Sequence, residues 1–402
     1  MPLEKTIPFK FIIFIVVFLL LDFVIENVNH KFQLNDFKVY YGAAQALTSG
    51  KQVYGTLFAL GSGYYKYSPF TSLLFYPLTV LPYYVACIID FLLISIAVVF
   101  TSVILLQVVN AYVFRKQSNN SSLILTLGII CISTHLVREL ELGNVNVLLL
   151  FLLSFCLFYI LQNKMIIAGI LLALVIITKP FFILLFIPLL MHRYYKALFI
   201  TSASLLLFLI LPAAFFGFVK NLDLHHQWLN TMLTHAEAFP SPNTLDAMIR
   251  NHVSSSLSSN FQYIALLILL IPYILFIFRN TQNSKNNKIQ KSSDLYIEWF
   301  TLIAFMPSIF KTDTEHFLMT LPILIFILVY LFHTKNILLS VLFGLLIILY
   351  AGNSSDILGK SLSVKVYDMG ILGISNILIV AMGLTLYYTH SRKLITVQSQ
   401  LN

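Results

Sequence analysis

Long apolar runs recur through almost the whole chain, and they leave few folds open to it. They lie near residues 9–28, 84–110, 121–137, 145–161, 165–178, 180–191, 196–217, 261–278, 294–310, 317–332, 337–351 and 369–389. In hydrocarbon every backbone N–H and C=O must find its partner within the protein, so such runs specify membrane helices. Composition agrees: of 402 residues, 59% are hydrophobic and only 10% charged, against about 25% charged in a soluble chain. The expected fold is an all-α polytopic membrane protein of about twelve transmembrane helices, one integral membrane domain over residues 1–402. Several runs are shorter than the ~20 residues of a perpendicular crossing.

The first run carries Asp22 and has no small-residue cleavage site after it, so it is expected to remain as a span. Basic residues crowd the connections on one side, from Lys5 and Lys10 through Arg115, Lys116, Arg193 and Lys196 to Arg392 and Lys393. Against them stand Glu4 and Asp294. Lys and Arg density sets orientation, which puts both termini in the cytoplasm. The formal net charge of +9 follows from this asymmetry and gives no reason to expect nucleic acid as a partner. Cys87, Cys131 and Cys156 all fall in apolar runs, so neither a disulfide framework nor a metal site is expected.

Three connections stand out. Residues 29–83 form a first outer loop, 218–260 a large polar outer loop, and 279–293 a basic, Asn-rich cytoplasmic linker expected to be flexible. In the first loop Phe37, Tyr41, Ala44 and Leu47 recur at helical spacing, with Gly50 as a stop, predicting an amphipathic helix lying in the membrane interface. It carries a lone acid, Asp36, where a lipid-borne molecule and a water-soluble one can meet. The bland alternative is equally concrete: Asn35 or Asp36 is simply an N-cap. Residues 70–81, between Pro69 and Pro82, rise only ~18 Å as a helix and read as re-entrant or interfacial.

With this topology the unusual polar residues gather at one face. Asp36, Lys66, Arg138, Glu139, Glu141, Asn144, Asn146, Lys179, His225, His226, Arg250, Asn251, His252, Lys311, Asp313, Glu315 and His316 all fall at outer span ends or in outer loops. Ionisable groups at a membrane boundary are costly unless they face a cavity or a partner, although loops are polar in any protein. Lys179, before Pro180, can snorkel or bind phosphate. His316 can be an incidental loop residue. Asp22, Asp90 and Glu298 are expected to face other helices, and Tyr40, Tyr41, Tyr64, Tyr65 and Tyr67 to sit in an interfacial belt. No nucleotide-binding glycine loop or metal-binding His/Glu helix is present, which argues against a nucleotide-driven pump or a nucleotide-sugar donor.

Four stretches together resemble glycosyltransferase family 87, polyprenol-phosphate-sugar-dependent enzymes of the GT-C superfamily. They are "DFKVYYGAAQALTSGKQVY" from Asp36, "YKYSPFTSLLFYPLTVLP", the pair "LGNVNVLLLFLLSF" and "AGILLALVIITKPFFILL", and "RNHVSSS" followed by "PSIFKTDTEHF". The resemblance runs from Asp36 to about Leu331. Gly143-Asn144-Val145-Asn146 stands where the family usually has Gly-Gln-x-Asn, and the serine and aromatic residues that precede the family's late histidine are not in place.

The resemblance implies a GT-C-like bundle and inverting transfer of a hexose, mannose among the options. The donor would be a polyprenyl-phosphate sugar and the acceptor a cell-envelope glycan or glycolipid, on the outer face of a bacterial plasma membrane. Asp36 would be the catalytic base. Lys179, Arg138 and Arg250 would face the donor phosphate, and Asn144, Asn146, Tyr40, Tyr67, Asn251 and His316 would complete the substrate site. Membrane lipids are the remaining partners; no cofactor and no obligatory metal is expected. Two other readings compete. A polysaccharide polymerase or ligase would draw its Arg and His from 218–260, and a lipid flippase or transporter would depend on Asp22, Asp90 and Glu298.

Overall fold

The computed structural model describes residues 7–401 except 31, 62, 239–240, 254–260, 285–286, 311–312 and 355–357. Helix α1 (Phe9–Val28) leads to α2 (Asn35–Thr48), a hairpin of β1 (Leu57–Ala59) and β2 (Gly63–Tyr64), and α3 (Pro69–Phe75). Beyond a 3-10 turn to Val80 come α4 (Tyr83–Val108), α5 (Ser121–Cys131), α6 (Ser133–Leu142), α7 (Asn146–Leu161) and α8 (Met165–Thr178). Then follow α9 (Phe186–Met191), α10 (Tyr195–Ile210), α11 (Ala213–Phe216), α12 (Phe218–Ala238), α13 (Leu245–His252) and α14 (Phe261–Asn283). The last part holds α15 (Lys288–Ile309), a 3-10 stretch Thr314–Thr320, α16 (Leu321–Thr334), α17 (Ile337–Ala351), α18 (Lys360–Asp368) and α19 (Ile371–Leu401).

All twelve apolar runs fall on helical segments, but length and composition support fewer crossings than their number suggests. Six stretches are long and apolar enough: Phe9–Val28, Tyr83–Phe114, Tyr195–Phe216, Ile264–Gln282, Thr314–Thr334 and Ile371–Ser391. A seventh is the pair α5–α6 taken together, bent by 65°. Residues 146–161, 165–178, 180–191 and 337–351 give shorter apolar helices. The run 294–310 belongs to α15, where the buried Asp294 and Glu298 interrupt the apolar sequence.

The Thr314–Thr334 stretch is the most enclosed, 83% buried, while Tyr195–Phe216 is only 11% buried and lies on the outside. Exposed side chains such as Leu20, Phe199, Leu206, Leu275 and Ile348 give the outer helices an apolar surface suited to lipid. Inside, α8 packs between α7 and α10, α7 rests on α4, and α15, α16 and α17 pack on α19. The 3-10 stretch Thr314–Thr320 is contacted by α6, α7 and α15, so residues far apart in sequence converge on it.

Helix α2 forms where the periodicity placed it, and Phe37, Ala44 and Leu47 are buried. It packs on α3, on β1 and on α6. The 70–81 segment is helical as α3 and the following 3-10 turn: Ser68 caps α3 by accepting from the Thr71 N–H at 3.1 Å, with Pro69 in the first turn.

Several expectations change. Tyr40 and Tyr65 are 2% and 0% exposed, enclosed by protein rather than set in a lipid belt; Tyr64, 42% exposed, keeps an open position. The basic stretch 279–293 is not an open linker. It is helical on either side of residues 285–286, and Lys291 donates to the His192 carbonyl at 2.7 Å. The 218–260 segment is built around α12 and α13. Asp22, Asp90 and Glu298 are buried as expected, with Glu298 bonded to His192 at 2.6 Å and Asn280 at 3.0 Å. The three cysteines are buried and free.

Candidate functional site

The site begins at the elbow between α6 and α7. Gly143 ends α6 at φ +63, in the left-handed region that glycine enters without a Cβ penalty. A Cβ there would lie 2.8 Å from Phe37 Cβ and 3.0 Å from both Leu34 Cβ and Asp90 Oδ2. The bare glycine therefore lets the start of α2 come hard against the elbow. Glu139, on the last turns of α6, reaches across it to the start of α7: Oε1 accepts from the Val147 N–H at 2.9 Å and Oε2 from Asn146 Nδ2 at 2.8 Å. Both carboxylate oxygens are thus engaged in satisfying the first turn of α7. Glu139 builds the elbow.

Asn144 projects from the elbow toward α2. Its amide donates to Asp36 Oδ2 at 2.7 Å and lies 3.4 Å from Glu315 Oε1. Its Oδ1 accepts from Tyr40 OH at 3.3 Å and from the Val145 N–H at 2.7 Å. Tyr40 OH is 3.1 Å from Tyr67 OH. Asn146, beneath, accepts from Lys179 Nζ at 2.5 Å, and Lys179 also donates to His316 Nε2 at 2.7 Å. An ammonium is a donor only, so His316 Nε2 is the acceptor and the ring proton resides on Nδ1. That Nδ1 lies 3.3 Å from Glu315 Oε1.

Asp36 is not a cap. It sits in the first turn of α2, but that helix has no side-chain capping bond at all. Asn35 is occupied instead in tying α2 to the hairpin, donating to the Leu60 carbonyl at 3.3 Å and accepting from the Leu60 N–H at 3.1 Å. The Asp36 carboxylate, half-buried, has Oδ2 held by Asn144 and accepts no bond at Oδ1 among the described residues. Burial raises its pKa to about 6; Glu315 and Asp313 add to the rise, while Lys66 and Lys179 oppose it. The result is a carboxylate still ionised at neutral pH, and more basic than a solvated one.

The cations are differently placed. Lys179 is buried, which lowers its pKa, and Glu139, Glu315 and Asp36 act against that fall. Among the described residues both of its hydrogen bonds go to neutral groups, which leaves one of its three N–H donors for a ligand. Lys66 is drawn down by burial and held up by Asp36, Asp313 and Glu315. Arg138 pairs with Glu141 at 2.8 Å on the solvent-exposed side of α6, within electrostatic reach of Glu315 and Asp313.

Asp36, Tyr40, Tyr67, Asn144, Asn146, Lys179 and His316 are thus joined in one network, with Arg138 at its edge. Arg250 and Asn251 have other partners. Arg250 lies 3.6 Å from Asp246, Asn251 donates to the Asp368 carbonyl at 3.1 Å, and His252 bonds the Met369 carbonyl at 2.7 Å. Asn251 and His252 thereby fasten α13 to the end of α18. Lys311 and Ser254–Ser256 of "RNHVSSS" lie outside the described residues. Glu139 and Glu315, named among the polar residues at this face but not assigned to the site, join the network; a further signal in the sequence was adjacency, Glu139 to the Gly143 elbow and Glu315 to His316.

None of the curated proteins searched matches the chain. The model of glycosyltransferase family 87 matches residues 65–293. That range takes in Lys66, Tyr67, the α6–α7 elbow and Lys179, and it is narrower than the resemblance, leaving Asp36 and His316 on either side. More than half of the chain is covered, and a helical fold with an apolar exterior surrounds the matched segment. The chain belongs to glycosyltransferase family 87 and is a membrane glycosyltransferase.

Proposed function

We propose that the enzyme transfers a hexosyl group from a polyprenyl monophosphate to a hydroxyl of a cell-envelope glycan or glycolipid, with inversion. The reaction takes place at the outer face of the plasma membrane, with both termini cytoplasmic and α2 lying at the interface. One observation carries this reading. Asp36 offers an unbonded carboxylate oxygen in a half-buried position while its other oxygen is fixed by Asn144, in the same network as a lysine with a spare N–H.

In the transfer step the acceptor oxygen attacks the anomeric carbon as its proton passes to Asp36 Oδ1. The bond from that carbon to the phosphate oxygen breaks, and polyprenyl phosphate leaves with the electron pair. Attack from the face opposite the leaving phosphate inverts the configuration. General-base assistance of this kind supplies roughly 10²–10⁴-fold. Negative charge gathers on the phosphate as it departs, and Lys179, with Arg138 at the edge of the site, stabilises it electrostatically. These protein cations do the work that a metal ion does in other transferases. Asn144 holds Asp36 in one rotamer, and Tyr40 and Tyr67 brace Asn144.

The test uses purified protein in lipid nanodiscs, a panel of polyprenyl-phosphate hexoses and the corresponding nucleotide sugars. Release of polyprenyl phosphate with at least one lipid donor, and a product of inverted anomeric configuration by NMR, is the expected result. Transfer from a nucleotide sugar, or a product of retained configuration, overturns the reading.

A further inference from the structure

Beside the network lies a cleft of about 800 Å³ between the loop around residues 51–66 and one face of α12, within the ~300–1,000 Å³ of a small-molecule site. Its walls are fixed to one another. The Trp228 indole N–H of α12 donates to the Lys66 carbonyl at 3.1 Å, and Tyr54 OH donates to the Tyr67 carbonyl at 2.8 Å. Among the described residues three lysines line the cleft, Lys51, Lys66 and Lys220, and no carboxylate does. Lys220 is exposed and lies 3.4 Å from Asp223 Oδ2, a solvent-screened contact of small energy. Lys51 is exposed as well.

Between the lysines the lining turns to amides and hydroxyls. Gln52, Gln227, Asn230, Thr231 and Thr234 line it; one N–H of each glutamine and the hydroxyl protons of both threonines already donate within the protein, which leaves the amide and hydroxyl oxygens and the remaining amide N–H groups for sugar hydroxyls. The exposed ring of Tyr64 supplies an apolar face. Lys66 connects this cleft to the acid, since its ammonium is in the field of Asp36 as well as in the cleft wall.

We propose that this cleft is the acceptor subsite and that it selects a saccharide bearing an anionic group, either a carboxylate or a phosphate ester. Lys51 and Lys220 read the charge at the outer end, and Lys66 lies at the end nearest Asp36. The inference rests on the glycosyl-transfer reading but adds the acceptor's chemical class. It also divides the lysines by role, with Lys179 serving the donor and the cleft lysines the acceptor.

The test is direct binding to nanodiscs of neutral lipid, with three labelled probes of equal length: a tetragalacturonate, a tetramannoside ending in mannose 6-phosphate, and plain mannotetraose. At least one anionic probe is expected to bind ~10-fold or more tightly than the neutral one, the scale of one hydrogen bond to a charged group. Which of the two does so tells carboxylate from phosphate. That preference should vanish at about 1 M salt, where the Debye length is ~3 Å. It should vanish also in the Lys51→Gln/Lys220→Gln variant and persist in Lys51→Arg/Lys220→Arg. Both positions are exposed, so folding is not at stake. Equal affinity for the neutral probe, or a Gln variant that binds the anionic probes like the wild type, overturns the proposal. Binding needs neither donor nor turnover, so the subsite and the transfer mechanism stand or fall separately.

Discussion

Asn144 Nδ2 donates to Asp36 Oδ2 at 2.7 Å, joining residues 108 positions apart in the chain. The bond links the first turn of α2 to the α6–α7 elbow and leaves the other Asp36 oxygen free of protein partners among the described residues.

Replacing Asp36 by Asn tests the chemistry with little change of shape. Asn still offers an oxygen to Asn144, and α2 loses no cap because Asp36 does not cap it. An amide does not take a proton at neutral pH, so transfer should fall by at least ~10²-fold while thermal stability and donor binding hold. Near-normal release of polyprenyl phosphate by a well-folded Asp36→Asn protein would remove the proposed base.

The raised pKa gives a pH profile. Burial, reinforced by Glu315, pushes the Asp36 carboxyl up to about 6, and only the ionised form accepts a proton. With a carboxylic acid the charged form is the high-pH form, so kcat/KM should be flat above pH 6–7 and fall below about 6, approaching tenfold per unit. A profile flat down to pH 5 would place the essential base elsewhere.

Asn144→Ala removes the donor that favours the carboxylate form. Hydrogen bonds to charged groups are worth ~1.5–3 kcal/mol, so kcat/KM should drop by roughly ten- to a hundred-fold. The acid limb should also move to higher pH, because the lost bond had stabilised the ionised state. A purely structural role for Asn144 predicts the drop without the shift.

Much of this was legible in the sequence. Apolar runs mark helices whatever their partners, and the spacing of Phe37, Ala44 and Leu47 places α2 because a buried helix face repeats locally. Asp36, Asn144, Asn146, Lys179 and His316 stand out because polar groups are rare in such a chain. The number of crossings did not follow, since a run such as 165–178 is apolar enough to be buried yet too short to span alone. Arg250 and Asn251 looked equally eligible on polarity. Their partners are Asp246 on α13 itself and the end of α18, and how α13 docks is a tertiary matter that residue type does not encode. For the same reason Tyr40 was not separable from Tyr64: one points into the network and the other outward.

Lys179→Ala should weaken use of the lipid donor far more than Lys164→Ala. Lys164 is exposed at the other end of α8, so it controls for the loss of a charge. The loss at Lys179 is expected to be ~10- to 100-fold in kcat/KM for the donor. Size-exclusion profiles should be compared first, since removing a buried cation leaves Glu139 and Glu315 without its field. Matched donor kinetics for the two variants would release Lys179 from the phosphate role.

Gly143→Ala tests whether the close approach at the elbow sets the geometry of the site. Two costs act at this position. A left-handed non-glycine residue costs ~1–2 kcal/mol, and the new Cβ meets Phe37 and Leu34 at 2.8 and 3.0 Å, pushing the start of α2 away from Asn144. Gly217 helps separate them, because it too has a backbone that only glycine adopts readily (φ +81, ψ 157) but a Cβ there meets nothing within 4 Å. Gly217→Ala should therefore show a backbone cost without a clash, a lower Tm with little change in rate. Gly143→Ala should lower Tm and slow transfer as well, by up to ~10²-fold if Asp36 is displaced by about 1 Å. Equal rates in the two variants would mean that α2 tolerates the displacement, and that the bond between Asn144 and Asp36 does not depend on the missing Cβ.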